Sequence, residues 1–165
     1  MNFKEYVNRG NFKLYCDVDG VLADFHGYAK RVVPGFYIGK PDVVFPKGIF
    51  SKLPILPGAH ELVDYLRNTF GPKFFILTAT PKDSVDETEA IDKRNWLKKH
   101  FNIDPKQVFV VSRSDKQKYA VNNPNNILID DYDRNTKEWT KAGGTSILYT
   151  STSQAIKEVE SIIAG

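Results

Sequence analysis

Two carboxylates, Asp17 and Asp19, stand one residue apart directly after the apolar run Phe12-Lys13-Leu14-Tyr15-Cys16, and Gly20 follows them. Alternation along a strand sends both side chains to one face, where their charges repel. A cation offsets that repulsion, and glycine lets the backbone turn away at once. An acidic turn after an edge strand carries the same short signature, so residues elsewhere must decide. Thr78 offers a hydroxyl at the end of a second apolar run, Lys116 or Lys118 a positive charge after a third, and Asp130-Asp131 an acidic pair closing a fourth. These residue types together fit phosphoryl transfer. Asp17 attacks phosphorus, Asp19 trades a proton with the leaving oxygen, Thr78 holds a phosphate oxygen and the lysine neutralises charge. The acidic pair completes a site for a hard divalent ion. Mg2+ suits it, because that ion takes one or two carboxylates plus substrate phosphate.

A fold must deliver these residues to one place. Phe12 to Asp17, Phe74 to Thr78, Val108 to Val111, Ile127 to Asp130 and Ser146 to Tyr149 are short runs rich in β-branched and aromatic residues. They lack helical periodicity and read as strands buried on both faces. Leu62, Val63, Leu66 and Phe70 form a helical stripe after Pro57-Gly58, and Ala90, Leu97 and Phe101 form another. Segments 134–142 and 153–163 read as two more helices. Strands alternating with helices predict a three-layer α/β fold around a central parallel five-stranded sheet. Ligands bind such sheets at the carboxyl ends of the strands, where Asp17, Thr78 and Asp130-Asp131 fall. The stretch from Asp24 to Pro57 interrupts the alternation. It is long for such a connection, and its aromatic content (Phe36, Tyr37, Phe45, Phe50) argues for a lid or substrate-reading insert.

With 165 residues, the chain is expected to form one domain, 1–165, with a small cap insert at about 24–57. Its 41% hydrophobic and 26% charged residues are ordinary for a globular protein, and a net charge of +3 favours anionic small molecules only slightly. The single cysteine, Cys16, lies in the first strand and excludes a disulfide framework or a cysteine-based zinc site. His60-Glu61 is no zinc-protease motif, since position 64 is aspartate. No apolar leader and no run of membrane-spanning length is visible, so a cytoplasmic location is expected.

The residues also carry a resemblance. Asp17-Val18-Asp19-Gly20-Val21, Thr78, Lys116 and Leu128-Ile129-Asp130-Asp131 follow the order of the four motifs of haloacid-dehalogenase-type phosphatases. More narrowly, the chain resembles the 5′(3′)-deoxyribonucleotidases. The shared features are Gly20-Val21-Leu22-Ala23-Asp24-Phe25, Phe50, Leu53, Pro57-Gly58-Ala59, Thr78-Ala79-Thr80-Pro81-Lys82, Lys93 with Trp96, and Arg113-Ser114-Asp115-Lys116. The resemblance implies a Rossmann-like core and a Mg2+-dependent enzyme that releases phosphate from nucleoside monophosphates. Asp17 would be the nucleophile and a metal ligand. Asp19 would be the general acid/base, giving its backbone carbonyl to the metal. Thr78, the Ala79 backbone, Lys116 and nearby Lys82 would hold phosphate, and Asp130 or Asp131 would complete the metal site. Phe25 would pack against the base, with Phe50 as a second wall.

The second motif reads Thr-Ala-Thr, the insert is short, and an extra residue precedes Lys116, which leaves Lys118 as its rival. These departures bear on substrate more than on chemistry. A nucleic-acid 3′-phosphate end or a sugar phosphate is the alternative substrate, with Lys30, Arg31, Lys40 and Lys47 near an open cap. A non-catalytic binding module is the competing class. Base preference and oligomeric state, a homodimer included, stay open at this level.

Overall fold

The computed structural model describes residues 10–81 and 85–165. Its elements run β1 (Lys13–Cys16), α1 (Phe25–Val32), α2 (Ala59–Phe70), β2 (Phe74–Ala79), α3 (Glu87–Phe101), β3 (Val108–Val111), β4 (Asn126–Asp130), α4 (Asp133–Lys141), β5 (Thr145–Leu148) and α5 (Thr152–Ala164). Short 3-10 turns occupy Ile49–Ser51 and Arg113–Ala120 among others. The five strands are all parallel in the order β3-β2-β1-β4-β5, as the alternation of patterns predicts.

Side-chain alternation builds two cores on the sheet. Leu14, Cys16, Ile76, Ile127 and Ile129 face one side, where Leu62, Val63 and Leu66 of α2, Leu97 and Phe101 of α3, and Val159 and Ile163 of α5 cover them. Tyr15, Leu77 and Leu128 face the other side, under Trp139 of α4 and Ala120. Cys16 is a fully buried small thiol inside the first of these cores. Burial on both faces holds for the central strands β1, β2 and β4. On the edge strands β3 and β5 most residues are only partly covered, and Leu148 is exposed, because each edge has a neighbour on one side alone.

The connection after β1 is more ordered than a loop. Asp24 accepts a hydrogen bond from the Gly27 amide at 2.9 Å and caps α1, a helix that the aromatic and glycine content of this stretch conceals. The return is stitched back by Asp24 N to Pro54 O and Leu56 N to Leu22 O, both 2.9 Å. Gly58 then starts α2 with φ of +80°, and a β-carbon there would meet Thr152 Oγ1 at 2.5 Å.

Candidate active site

The strand order reverses on either side of β1, which opens a crevice at the carboxyl ends of β1 and β4. The Asp17 amide donates to Ile129 O at 2.9 Å, so Asp17 extends β1 straight into that crevice beside Asp130. Lys116 Nζ donates to Asp17 Oδ1 at 2.9 Å and to Asp130 Oδ2 at 2.8 Å, with all three side chains buried. Lys118 is instead exposed and pairs with Asp115 at 2.9 Å. Lys116 is therefore the lysine that reaches the carboxylates. Burial disfavours its charge, but Asp17 and Asp130 outweigh that and raise its pKa. Burial raises the Asp17 carboxyl well above the usual carboxylate range, and Asp130 adds to the effect while Lys116 opposes it. Asp19 is the weakest of the charges acting on Asp17, so the crowding read from the Asp-x-Asp spacing comes mainly from β4.

Asp17, Asp130 and Asp131 each offer a carboxylate oxygen, and the three oxygens lie within 4.8 Å of one another. Asp131 packs directly on the loop after β1. A β-carbon on Gly20, whose φ is +83°, would sit 1.9 Å from Asp131 Oδ2. Burial, with Asp130 beside it, pushes Asp131 up to about 7. Asp130 is held from all sides: Oδ1 accepts from the Tyr132 amide at 2.9 Å, and Oδ2 also accepts from Asn135 Nδ2 at 3.1 Å. Arg113 in turn donates to Asn135 Oδ1 at 3.0 Å and forks onto Glu138 at 2.8 and 3.3 Å.

The Asp19 carboxylate lies outside this acidic group. Its Oδ2 accepts from Lys93 Nζ at 2.6 Å, and its buried Oδ1 has no hydrogen-bond partner. Lys93 also donates to Thr78 Oγ1 at 3.0 Å and lies over the Phe50 ring, 4.4 Å from its centroid. Thr78 is fully buried, and Ala79 ends β2 next to it. Lys82 lies outside the described residues.

Phe25 and Phe50 stack at 5.5 Å with their planes 9° apart, but they differ in access. Phe50 is only 2% exposed, sandwiched between Phe25 and Lys93, whereas Phe25 lines a cleft of about 850 Å³ together with His26, Phe36, Phe45, Pro81 and Glu89. Phe36 and Phe45 meet the Phe25 ring edge-on at 6.2 and 5.2 Å, while Tyr37 points outward and is exposed. His26 stands where the cleft meets the carboxylates, its Nε2 4.0 Å from Asp131 Oδ2.

Residues 41–161, well over half of the chain, match the family described as 5′ nucleotidase, deoxy (Pyrimidine), cytosolic type C protein. The chain belongs to that family. It is thus a hydrolase, a haloacid-dehalogenase-type phosphatase of a nucleotidase family, as the order of its four motifs implies. The matched span begins after Asp17 and Asp19, and it is the contacts of Lys116 and Lys93 that tie those residues to it. Two solved structures share the fold over nearly the whole chain. An uncharacterized protein from Corynebacterium glutamicum is 17% identical, covers 94% of this chain and 96% of its own, and superposes with a TM-score of 0.51. The HAD domain of the effector protein Lem4 from Legionella pneumophila is 16% identical, with coverage of 92% and 95% and the same TM-score of 0.51. No curated protein matches the sequence.

Within this nucleotidase-family site, the sequence marks Lys93 and Arg113 as parts of shared motifs without giving either a role, and it does not mark Asn135. The signal for Lys93 was present. It interrupts the apolar stripe of α3 between Ala90 and Leu97, on the face that also carries Trp96, and a lysine on a buried face requires a charged partner. Trp96 Nε1 donates to Leu53 O at 2.9 Å and fixes that face against the insert. Asn135 had no comparable signature, since a polar residue on an exposed-looking helix is ordinary.

Proposed function

We propose that this phosphatase hydrolyses nucleoside monophosphates, deoxypyrimidine nucleotides foremost, to nucleoside and phosphate through an aspartyl-phosphate on Asp17. The observation that carries the reading is Lys116 bridging Asp17 and Asp130 at the crevice of the sheet. A nucleophilic carboxylate needs a counter-charge there to tolerate an approaching phosphate dianion. Asp19 serves as acid and base, protonating the departing nucleoside oxygen and then deprotonating the water that frees Asp17. Thr78 and the Ala79 backbone hold the phosphate, with Lys116 and, from the second motif, Lys82. Thr78 suits this role because its oxygen accepts from Lys93, which leaves the hydroxyl proton free to donate.

The donor set fits Mg2+. Three carboxylates converge beside one buried lysine, which bonds two of them, and burial together with their mutual repulsion raises Asp17 and Asp131 in spite of that lysine. Asp17, Asp130 and Asp131, with the Asp19 backbone carbonyl, would hold the ion, which supplies charge neutralisation for the phosphoryl group when bound. The insert at 24–57 acts as a small cap. Its α1 and the ring cluster around Phe25 give the base an apolar wall, and Phe50 supports that wall from behind. The family's cytosolic description supports a cytoplasmic location, and no described helix is long and apolar enough to cross a membrane.

Phosphate release from a panel tests this reading. The panel contains deoxypyrimidine, ribo- and purine monophosphates, 3′-monophosphates, sugar phosphates and a 3′-phosphorylated oligonucleotide, each with and without Mg2+. Release dependent on Mg2+ and concentrated on deoxypyrimidine monophosphates is the expected result. Activity confined to the oligonucleotide or sugar phosphates would discard the substrate, and silence across the panel would discard the enzyme.

A further inference from the structure

Lys93 is the second buried lysine of the site. Its side chain is 1% exposed, and its ammonium touches two residues given roles in the proposed reaction: Asp19 Oδ2 at 2.6 Å and Thr78 Oγ1 at 3.0 Å. The Phe50 ring at 4.4 Å closes a further side. Holding a lysine so deep carries a desolvation cost that a paired carboxylate must offset. An apolar residue would pack this helix face against the sheet without that cost.

We infer that Lys93 is a positioning residue of the reaction: by holding Asp19 Oδ2 it fixes the orientation in which the Asp19 carboxyl exchanges its proton. The inference rests on the phosphomonoesterase reaction proposed above. In the first half, a bond forms between an Asp17 oxygen and phosphorus, the ester P–O bond breaks, and the proton on the Asp19 carboxyl passes to the departing alkoxide oxygen. In the second half, water oxygen bonds to phosphorus, the bond from phosphorus to Asp17 breaks, and a water proton returns to the Asp19 carboxyl. Lys93 touches neither phosphorus nor proton. It fixes the direction in which the Asp19 carboxyl faces.

Leaving-group dependence separates this role from a structural one. A nucleoside alkoxide needs a proton to depart, whereas p-nitrophenolate leaves without one. Lys93→Met should lower kcat/KM on a deoxypyrimidine 5′-monophosphate by about 100-fold, yet leave kcat/KM for p-nitrophenyl phosphate within about threefold, because kcat/KM reports the steps through leaving-group departure and not the shared hydrolysis of the aspartyl-phosphate. The ratio of the two rates does not depend on how much of the variant is folded. Lys93→Arg should recover part of the loss on the nucleotide. In an Asp19→Asn background, Lys93→Met should cost nothing more on the nucleotide. An equal loss on both substrates, or losses that multiply in the double variant, would overturn the role of Lys93 and leave the phosphatase standing. Wild-type protein that frees no phosphate from either substrate overturns the reaction itself, and this role with it.

Discussion

Lys116 Nζ reaches Asp17 Oδ1 at 2.9 Å across 99 positions of sequence, and the same nitrogen holds Asp130. The pair ties the charge state of the proposed nucleophile to a helical turn on a different segment of the chain. Asp17→Asn keeps the volume and leaves Lys116 its bond to Asp130. It should therefore lower phosphate release by roughly 10⁴-fold or more while the melting temperature stays close to wild type. Lys116→Met strands two buried carboxylates and should cost about 3–5 kcal/mol in urea unfolding. Robust turnover by Asp17→Asn in a clean preparation would remove the covalent mechanism.

Metal removal should expose the charge imbalance of the acidic group. Asp131 titrates at about 7 in the folded chain, above its ordinary value of 3.8. A raised carboxyl pKa means that the folded state holds the proton more tightly than the unfolded one. The resulting stability is complete below the ordinary value and is lost as pH rises through about 7. Asp17 shifts in the same direction. Metal-free protein should therefore melt lower at about pH 8 than at about pH 6, with roughly 2–4 °C for each kcal/mol lost. Added Mg2+ should recover more at the higher pH. Calorimetry with chelator and with Mg2+ checks both signs, and a Mg2+ effect that shrinks with rising pH would count against the carboxylate site.

The stacked pair Phe25 and Phe50 should separate under mutation. Phe50 is buried beneath Phe25 and Lys93, so Phe50→Ala should cost about 3–5 kcal/mol of stability. Phe25 lines the cleft, so Phe25→Ala should chiefly raise KM for nucleotides and cost less stability. Urea unfolding alongside steady-state kinetics measures the two. A Phe25 variant with unchanged KM would remove it from the base wall.

Arg113 forks onto Glu138 and also holds Asn135, which holds Asp130. It thereby pins the turn carrying Lys116 to α4. Arg113→Ala should cost about 1–2 kcal/mol, and Arg113→Lys, which cannot fork, should recover little of it. Weaker Mg2+ protection in thermal melts should accompany the loss, because Asn135 and Lys116 both lose support. Full rescue by lysine would reduce the contact to simple charge pairing.

Much of this protein was legible locally. The strands, the helices α2 to α5 and the parallel order follow from short apolar runs alternating with helical stripes, because a strand or helix declares itself within a few neighbouring residues. The same order puts Asp17, Thr78 and Asp130-Asp131 on one rim without any knowledge of their contacts. The helix α1 is not legible there, because its cap, Asp24, sits inside a motif and its interior holds Gly27 and aromatics instead of a clean stripe. Only the tertiary structure chose between Lys116 and Lys118, two residues apart, since that choice depends on which side chain turns inward from one short turn. It also sent Asp19 to Lys93 and Asp17 to Lys116, where spacing alone had paired the carboxylates with each other. And it buried Phe50 while leaving Phe25 open. Pairings between side chains are decided by the packing of distant segments, which a pattern along the chain does not encode.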